Sequence, residues 1–245
     1  IAKGGTKGNH RSSRAGAGPA QGPGAPPGAL DRPMGRALRL APWTGIAFVV
    51  AFAIGVVASS PPQNNASNAK WMADYTKSHA AGHIVSGAAL VVSGLCFLVF
   101  VLGMWQRIAA RGTRPGPLPL ISAAVTAACM ATGGVLMAMP GSIVSGGGPV
   151  PDADLLRLCD EAGFAMVGLP GMLAAAIAVV ALGVQARKGG VFGQKLFVYS
   201  IVVGIALLGA IAFLPIALLL VWLVVAAVVQ LRQGDGTDRP APALS

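Results

Sequence analysis

Charged side chains are scarce in this sequence. Asp, Glu, Lys and Arg make up 11% of its 245 residues, whereas an ordinary soluble domain contains about 25%. The chain therefore has too little polar surface for a water-soluble globule. Its hydrophobic content of 54% also excludes a disordered chain, because disorder requires low hydrophobicity. The class that remains is a membrane protein that crosses the bilayer several times.

The motifs of several membrane enzyme classes are missing as well. The three cysteines form no C-x-x-C, which is the reactive pair that a thiol oxidoreductase needs. The sequence contains no H-E-x-x-H and no G-x-x-x-x-G-K-[ST], so the common zinc protease and phosphate-loop motifs are absent. The I-V-S-G segments at 84–87 and 143–146 lack the G-x-S-G of intramembrane serine proteases. These absences favour a protein that is not an enzyme.

The apolar segments predict an all-α transmembrane bundle of six spans, residues 34–231. Each span has about the twenty residues that cross a hydrocarbon core of ~30 Å. The last apolar stretch, 196–231, would be ~54 Å long as one helix, so we divide it into two spans; one long kinked helix is the alternative. The predicted spans are about Ala41–Ser59, His83–Gln106, Leu118–Met139, Ala162–Gln185, Leu196–Ala212 and Leu214–Leu231.

Two tails that flank this membrane domain are predicted to be disordered, residues 1–33 and 232–245. The first is basic, rich in glycine and proline, and lacks an apolar run, so it cannot bury enough surface to offset the entropy of ordering. Contact with anionic lipid or nucleic acid is one interpretation of this tail, and we prefer a solvated tail. The short basic segment that begins at Met34 and precedes the first span suggests Met34 as the natural start.

The charges are divided unevenly between the two sides of the predicted bundle. With the N-terminus in the cytosol, cytosolic segments hold fifteen of the eighteen lysines and arginines, and outer loops hold five of the eight acidic residues. Basic loops are retained in the cytosol during insertion, so both termini are predicted to be cytosolic. The net charge of +10 then reflects topology and does not indicate a nucleic-acid partner.

The predicted spans contain no Asp, Glu, Lys or Arg. Ion-coupled transporters usually place such groups at membrane depth, so coupled transport is disfavoured, although carbonyl sites in broken helices need no charge. The polar groups at depth are mainly hydroxyls, which we expect to bond a carbonyl one turn back. They belong to Ser86, Ser93, Ser122, Thr126, Thr132 and Ser200.

Small residues and one proline predict how the helices pack. Small pairs four apart, such as Ala124 with Ala128 and Ser200 with Gly204, are typical of tightly packed membrane helices. Pro170 lies inside the fourth span and predicts a kink there.

The outer segments suggest one candidate site. Residues 68–78 predict an interfacial helix with Trp71 and Tyr75 in the headgroup layer. If a helix over 68–80 continues into the second span, His79 and His83 share a face with these rings.

These two histidines, together with acidic residues of the other outer loop, form a plausible Zn²⁺ or Cu²⁺ site. The four candidate ligands are His79, His83, Asp160 and Glu161. The alternative, which we prefer, is a pair of interfacial histidines bonded to water or headgroups, with no metal and no other cofactor. Asp152 is the predicted N-cap of a short helix that leads into the fourth span.

Several short segments resemble bacterial six-span membrane proteins of the domain-of-unknown-function type. The segments are Trp43-Thr-Gly45, Pro61-Pro62 with Trp71 and Tyr75, Pro151-Asp152-Ala-Asp154-Leu155-Leu156, Leu169-Pro170-Gly171-Met172, and Phe213-Leu214-Pro215 with Trp222. The resemblance extends from Trp43 to Leu231. It implies a six-span protein of the bacterial plasma membrane and brings no activity with it.

Together these features predict an integral plasma-membrane protein that binds a lipid or hydrophobic molecule without catalysis, or that serves as a membrane partner of another protein or of a second copy. A permease or exporter of a neutral or hydrophobic solute is one alternative. A membrane enzyme or metal sensor that uses the outer histidines and acids is the other.

Overall fold

The computed structural model of the protein describes residues 31–58, 62, 65–209 and 213–234. These residues form helices joined by turns, and no strand occurs among them. The helices are α1 (Asp31–Ala58), α2 (Asn68–Asp74), α3 (Lys77–Ala110), α4 (Leu118–Ser145), α5 (Ala153–Met166), α6 (Met172–Lys188), α7 (Gln194–Leu207) and α8 (Phe213–Gly234). A π-helical turn, Val167–Gly171, joins α5 to α6. The all-α prediction is confirmed.

Among the described residues, five helical segments are long and apolar enough to cross a membrane. They are Leu40–Ala58, His79–Ala110, Leu118–Ser145, Ala153–Lys188 and Pro215–Arg232, which correspond to the first four predicted spans and the sixth. The stretch 196–231 forms two helices and not one. Its first helix, α7, has 14 residues and is therefore ~21 Å long, and the remainder of the predicted fifth span includes residues 210–212, outside the described residues.

The outermost helices extend beyond their predicted ends. Helix α1 begins at Asp31 and α8 ends at Gly234, so the disorder predicted for 31–33 and 232–234 is wrong at these positions. Pro33 is compatible with this because proline is tolerated in the first turn of a helix. The predicted disorder of residues 1–30 and 235–245 concerns positions outside the described part of the chain.

Helices α3 and α4 pack against each other along rows of small residues spaced seven apart. The rows are Ala80, Gly87 and Gly94 on α3, and Ala127, Gly134 and Gly141 on α4. A Cβ atom added to Gly87 would overlap the carbonyl oxygen of Gly134, and one added to Gly134 would lie 2.5 Å from the carbonyl oxygen of Gly87. A seven-residue period is typical of left-handed helix crossings. The close packing predicted from small residues is present, but Ala124 and Ala128 are exposed.

Helices α1, α6 and α8 each have one end beside the C-terminal end of α3. The N-terminal half of α1 passes there, since a Cβ atom on Gly103 would overlap Ala41. Helix α8 ends there, since Arg107 Nη1 donates to the Gln230 carbonyl oxygen at 3.0 Å. Arg111 Nη1 donates to the carbonyl oxygen of Gly190, just after α6, at 2.6 Å. We call this the basic end of the bundle, defined by Arg107, Arg111, Arg114, Arg187, Lys188, Lys195 and Arg232.

Pro170 disturbs the long helix formed by α5 and α6. Proline cannot donate the hydrogen bond of a regular turn, and the helix widens into the π turn at this position. Thr126 Oγ1 of α4 lies 3.3 Å from the Gly171 carbonyl oxygen, which gives the widened turn a polar contact. A kink was predicted at Pro170, and the irregularity found at this position is a π turn.

The core between α1, α3 and α8 is aromatic, and Trp222 of α8 is fully buried in it. Its ring meets Phe100 and Phe192 edge-on, at centroid distances of 6.1 and 6.5 Å. The indole Nε1 donates to Ser200 Oγ at 2.9 Å, which fastens α7 to α8. A buried indole with a bonded N–H group orients its helix as well as filling space.

Candidate functional site

The end of the bundle opposite the basic end carries a group of packed polar and aromatic side chains. We call it the polar cluster and define it as Trp71, Asp74, Tyr75, His83 and Asp160. It forms where α2 packs against α5 and Asp74 of α2 bonds His83 near the start of α3.

A break between α2 and α3 creates this arrangement. Helix α2 ends at Asp74 and α3 begins at Lys77, so the predicted continuous helix over 68–80 is wrong. Ser67 caps α2 by accepting a hydrogen bond from the Lys70 amide at 3.3 Å. Thr76 takes the N-cap position of α3, a position that threonine prefers to a helix interior. The break lets α2 pack against α5.

Trp71 and Tyr75 are buried inside the protein. Both are 0% exposed, and they pack against Ala153 and Leu156 of α5. Their predicted place in the lipid headgroup layer is therefore wrong, because α5 covers them. The sequence shows amphipathic rings but does not show which helix will face them.

His83 is the centre of the polar cluster. It is 4% exposed, and its Nε2 atom lies 3.1 Å from Asp74 Oδ2. Its ring stacks on Tyr75 with a centroid distance of 3.9 Å and an interplanar angle of 11°. The imidazole is thus fixed by a carboxylate at its edge and an aromatic ring on its face, as in sites where a histidine must keep one orientation.

Three buried polar atoms in the polar cluster have no hydrogen-bond partner: Trp71 Nε1, Tyr75 Oη and Asp160 Oδ1. Burial raises the pKa of the Tyr75 hydroxyl far above its ordinary value, and the carboxylates of Asp160 and Asp74 raise it further. Tyr75 therefore remains a neutral phenol. Buried polar atoms without partners are uncommon and destabilising, so this cluster is less stable than its close packing alone would suggest.

Arg157 of α5 closes the cluster on the side of Trp71. Its Nη2 atom donates to the Ala66 carbonyl oxygen at 2.8 Å, its Nη1 atom donates to Asp154 at 3.2 Å, and its guanidinium lies 5.8 Å from the Trp71 ring centroid. A guanidinium over an indole face is a favourable cation–π contact. Asp152 occupies the N-cap position of α5 as predicted, without a side-chain cap hydrogen bond.

The predicted metal ligands are not gathered into one set. His79 is exposed and bonds Thr76 Oγ1 through Nδ1 at 3.4 Å, Glu161 is exposed, and Asp160 is buried. His83 meets Asp74, which was not among the predicted ligands. In the part of the chain that the structure describes, no group of three or more His, Cys, Asp or Glu side chains could hold a metal ion. The metal site therefore stays a prediction, and the described residues do not bring a set of ligands together for it.

The pairing of His83 with Asp74 makes a specific energetic prediction. Removing the Asp74 carboxylate breaks its hydrogen bond with His83. His83→Phe breaks the same hydrogen bond and keeps the stacking on Tyr75. The effects of the two substitutions on the unfolding free energy should therefore not be additive. In a double-mutant cycle of Asp74→Ala and His83→Phe, we expect a coupling of ~1 kcal/mol in unfolding free energy.

The matched control is Asp154→Ala, which removes an exposed partner of Arg157 and should change stability by less than ~0.5 kcal/mol. Additive effects of Asp74→Ala and His83→Phe would contradict the pairing.

A second candidate site is an apolar groove of about 500 Å³ along α6. Its α6 wall runs from Ala176 to Lys188, which is ~18 Å of helix. Gly204, Ile205 and Leu208 of α7 form the opposite wall. Ile205 and Leu208 are 63% and 64% exposed, so the groove opens sideways from the bundle and not along its axis.

The groove changes character at the basic end of the bundle. Gln185 and Lys188 line it there, beside Leu118 at the start of α4. Gln185 Nε2 donates weakly to the Gly116 carbonyl oxygen at 3.4 Å, while its Oε1 atom is buried without a partner. The groove therefore joins an apolar wall to an exposed cation, Lys188.

No protein-family model, curated protein or solved structure shows significant similarity to this chain. The class is defined by the fold itself: the part of the chain that the structure describes is an all-helical bundle with five helices long and apolar enough to cross a membrane.

Proposed function

We propose that this protein is a non-catalytic membrane protein of the bacterial plasma membrane, and that it binds the acyl chain of a lipid or a similar hydrophobic molecule in the α6–α7 groove. One observation carries the proposal: an apolar groove that opens sideways between two helices and ends in polar groups. Lateral openings of this kind admit ligands that are dissolved in the bilayer. Pockets that hold small molecules are mainly apolar with a few fixed polar groups.

The dimensions of the groove support this function. A wall of ~18 Å is slightly longer than one leaflet of a ~30 Å hydrocarbon core. One acyl chain of a lipid in that leaflet would lie along the groove with its headgroup at Lys188. Small residues such as Ala181 and Gly204 make room for the chain, because large side chains at these positions would fill the space.

The arrangement of the helices supports the predicted topology of six crossings. The C-terminal ends of α6 and α8 both lie at the basic end. Helix α8 is by itself long enough to cross a membrane. The chain between them must therefore return to the opposite end, and α7 provides ~21 Å of that path. We propose that the basic end faces the cytosol, since basic segments are retained there.

Four hydroxyl groups inside the membrane-spanning helices do not line a polar transport pathway, because they donate their hydrogen bonds to backbone carbonyl oxygens. Ser93, Thr126 and Ser200 each donate to the carbonyl oxygen four residues earlier, at 2.7, 3.0 and 2.8 Å, which confirms the expectation for these three. Ser86 donates to the carbonyl oxygen of Gly55 on α1 at 2.7 Å. These hydroxyls serve helix packing, so binding is favoured over a permease.

Filling the groove tests the proposed function. Ala181 is half-buried in the α6 wall, and Ala181→Trp places an indole in the space. The protein is first delipidated and then reloaded with lipid, and bound lipid is counted by native mass spectrometry. We expect the affinity of the variant for lipid to be about tenfold lower, equivalent to ~1.4 kcal/mol.

The control is Ala128→Trp, which adds the same ring to an exposed position of α4 outside the groove. If both variants retain as much lipid as the unchanged protein, the groove is not the binding site.

A further inference from the structure

Helix α2 lies over the polar cluster at the end of the bundle opposite the basic end. We propose that α2 is a hinged cover, which opens and closes in the native protein while the membrane helices stay folded. The closed form is the arrangement described above, and in the open form the side chains of His83 and Asp160 meet the solvent. This inference is independent of the proposed lipid site in the α6–α7 groove.

Helix α2 is held by a small core of its own. Trp71 and Tyr75 pack there with Ala153 and Leu156 of α5. This core is separate from the main one, which α1, α3, α4, α6, α7 and α8 form. Regions with few buried apolar contacts open locally at a lower free energy than the rest of a protein. Helix α2 can therefore leave α5 without unfolding of the bundle.

The break between α2 and α3 provides the hinge. Tyr75 (φ −97°, ψ 21°) and Thr76 (φ −66°, ψ 163°) both depart from helical geometry, and hinges are typically a few residues at the ends of elements. Helix α2 has only 7 residues, and so short a helix is not stable alone in water. Its hydrogen bonds should therefore be lost together when it leaves α5.

The closed form buries polar atoms that opening would hydrate. Trp71 Nε1, Tyr75 Oη and Asp160 Oδ1 are buried without a hydrogen-bond partner. Such atoms have given up their hydrogen bonds to water and received none in return, so all three favour the open form. They oppose the apolar packing of α2 on α5 and reduce the free-energy difference between the two forms.

Arg157 of α5 is the latch of the closed form. It donates to the Ala66 carbonyl oxygen at 2.8 Å, and its guanidinium lies 5.8 Å from the Trp71 ring centroid. One side chain thus holds both the segment before α2 and the main anchor of α2. The contact of Asp74 with His83 at 3.1 Å holds the other end of the helix.

Amide hydrogen exchange in the full chain, measured by mass spectrometry in lipid nanodiscs, tests the proposal. We expect amides of residues 68–75 to exchange at least about 100-fold faster than those of residues 122–130 in α4, although Trp71 and Tyr75 are fully buried. Tyr75→Phe removes the hydroxyl without a partner and keeps the ring, so it should slow exchange in α2 about fivefold. Arg157→Gln should speed it about fivefold.

Tyr199→Phe is the matched control. It removes a hydroxyl that donates to the Leu218 carbonyl oxygen at 3.2 Å, between α7 and α8, and should leave exchange in α2 unchanged. Exchange in α2 as slow as in α4 would overturn the proposal. So would a failure of Tyr75→Phe and Arg157→Gln to move the exchange rate in opposite directions, since general damage to the fold would only speed it.

Modification of histidine by diethyl pyrocarbonate shows whether opening uncovers the polar cluster. His79 is exposed and should react quickly in every variant. His83 should react slowly in the unchanged protein, more slowly in Tyr75→Phe and faster in Arg157→Gln. If Arg157→Gln speeds exchange in α2 without speeding the reaction of His83, the helix frays without uncovering the cluster, and the proposal is wrong.

Discussion

Replacing Gly87 with alanine is expected to lower the unfolding free energy of the bundle by ~3 kcal/mol, at the upper end of the usual cost of overpacking. The reason is that the new Cβ atom would overlap the carbonyl oxygen of Gly134 and lie 2.6 Å from the Cβ atom of Ala138. Backbone cannot move aside as a flexible side chain can, so α3 and α4 must separate. Equilibrium unfolding in mixed micelles would measure the loss.

Gly168→Ala is the matched control for this substitution. The nearest atom to its added Cβ would be a ring carbon of Phe164 at 3.9 Å, an ordinary contact. Alanine there should leave stability unchanged or raise it by up to ~1 kcal/mol through helix propensity. Gly134→Ala repeats the test from α4. Unchanged unfolding of both Gly87→Ala and Gly134→Ala would show that these helices do not meet at their glycines.

Trp71→Ala is expected to produce the largest local effect, a loss of ~3 kcal/mol or more, as for other buried tryptophans truncated to alanine. The indole is 0% exposed and holds α2 against α5, and Arg157 loses the ring below its guanidinium. We expect α2 to detach, which limited proteolysis would detect as faster cleavage in residues 65–80, alongside a lower melting temperature.

The neighbouring Met72 provides the control, since it is 40% exposed on the same helix. Met72→Ala should leave cleavage and melting temperature close to those of the unchanged protein. Equal behaviour of the Trp71 and Met72 variants would mean that α2 is not anchored by its indole. A uniform loss of stability without faster cleavage at α2 would place the effect in the whole bundle instead.

The sequence was sufficient to predict the helical class, the first four spans and the position of the distortion at Pro170. Apolar length and composition determine these features locally, so they can be recognised without knowledge of neighbouring helices. Helix ends were less predictable. Helix α3 continues from Lys77 to Ala110 and α4 to Ser145, beyond their predicted limits. The added part of α4 includes Pro140 and Gly141, which are poor helix formers, so its packing on α3 and not local propensity continues the helix.

The partners of side chains were not predictable from spacing alone. His83 meets Asp74 because the chain breaks at Tyr75 and Thr76, and a continuous helix would have pointed Asp74 elsewhere. A threonine that can cap a helix was the available signal for the break. The packing of α3 on α4 had a clearer signal, the seven-residue spacing of Ala80, Gly87 and Gly94, whereas the prediction relied on pairs four apart.

The groove could not be predicted from the sequence because it depends on the relative position of α6 and α7. Ala181 and Gly204 are small residues among many in this chain, and nothing in their local pattern separates them from those in tight contacts. Gln185 ends the predicted fourth span, and Lys188 belongs to the predicted cytosolic segment that follows it. Only the fold shows that these two residues close one end of an apolar groove.

The π turn at Val167–Gly171 lies between two functional surfaces of the continuous helix formed by α5 and α6. The residues before it pack on α2, and those after it form one wall of the groove. A π turn holds one residue more than the α-helical turn it replaces, and each residue rotates the helix by ~100°. Deleting one residue in this turn would return it to an α-helical turn, so the side chains of α6 would keep nearly the same direction relative to α5. Deleting one residue within α6 would instead rotate every later side chain of that helix by ~100° relative to α5.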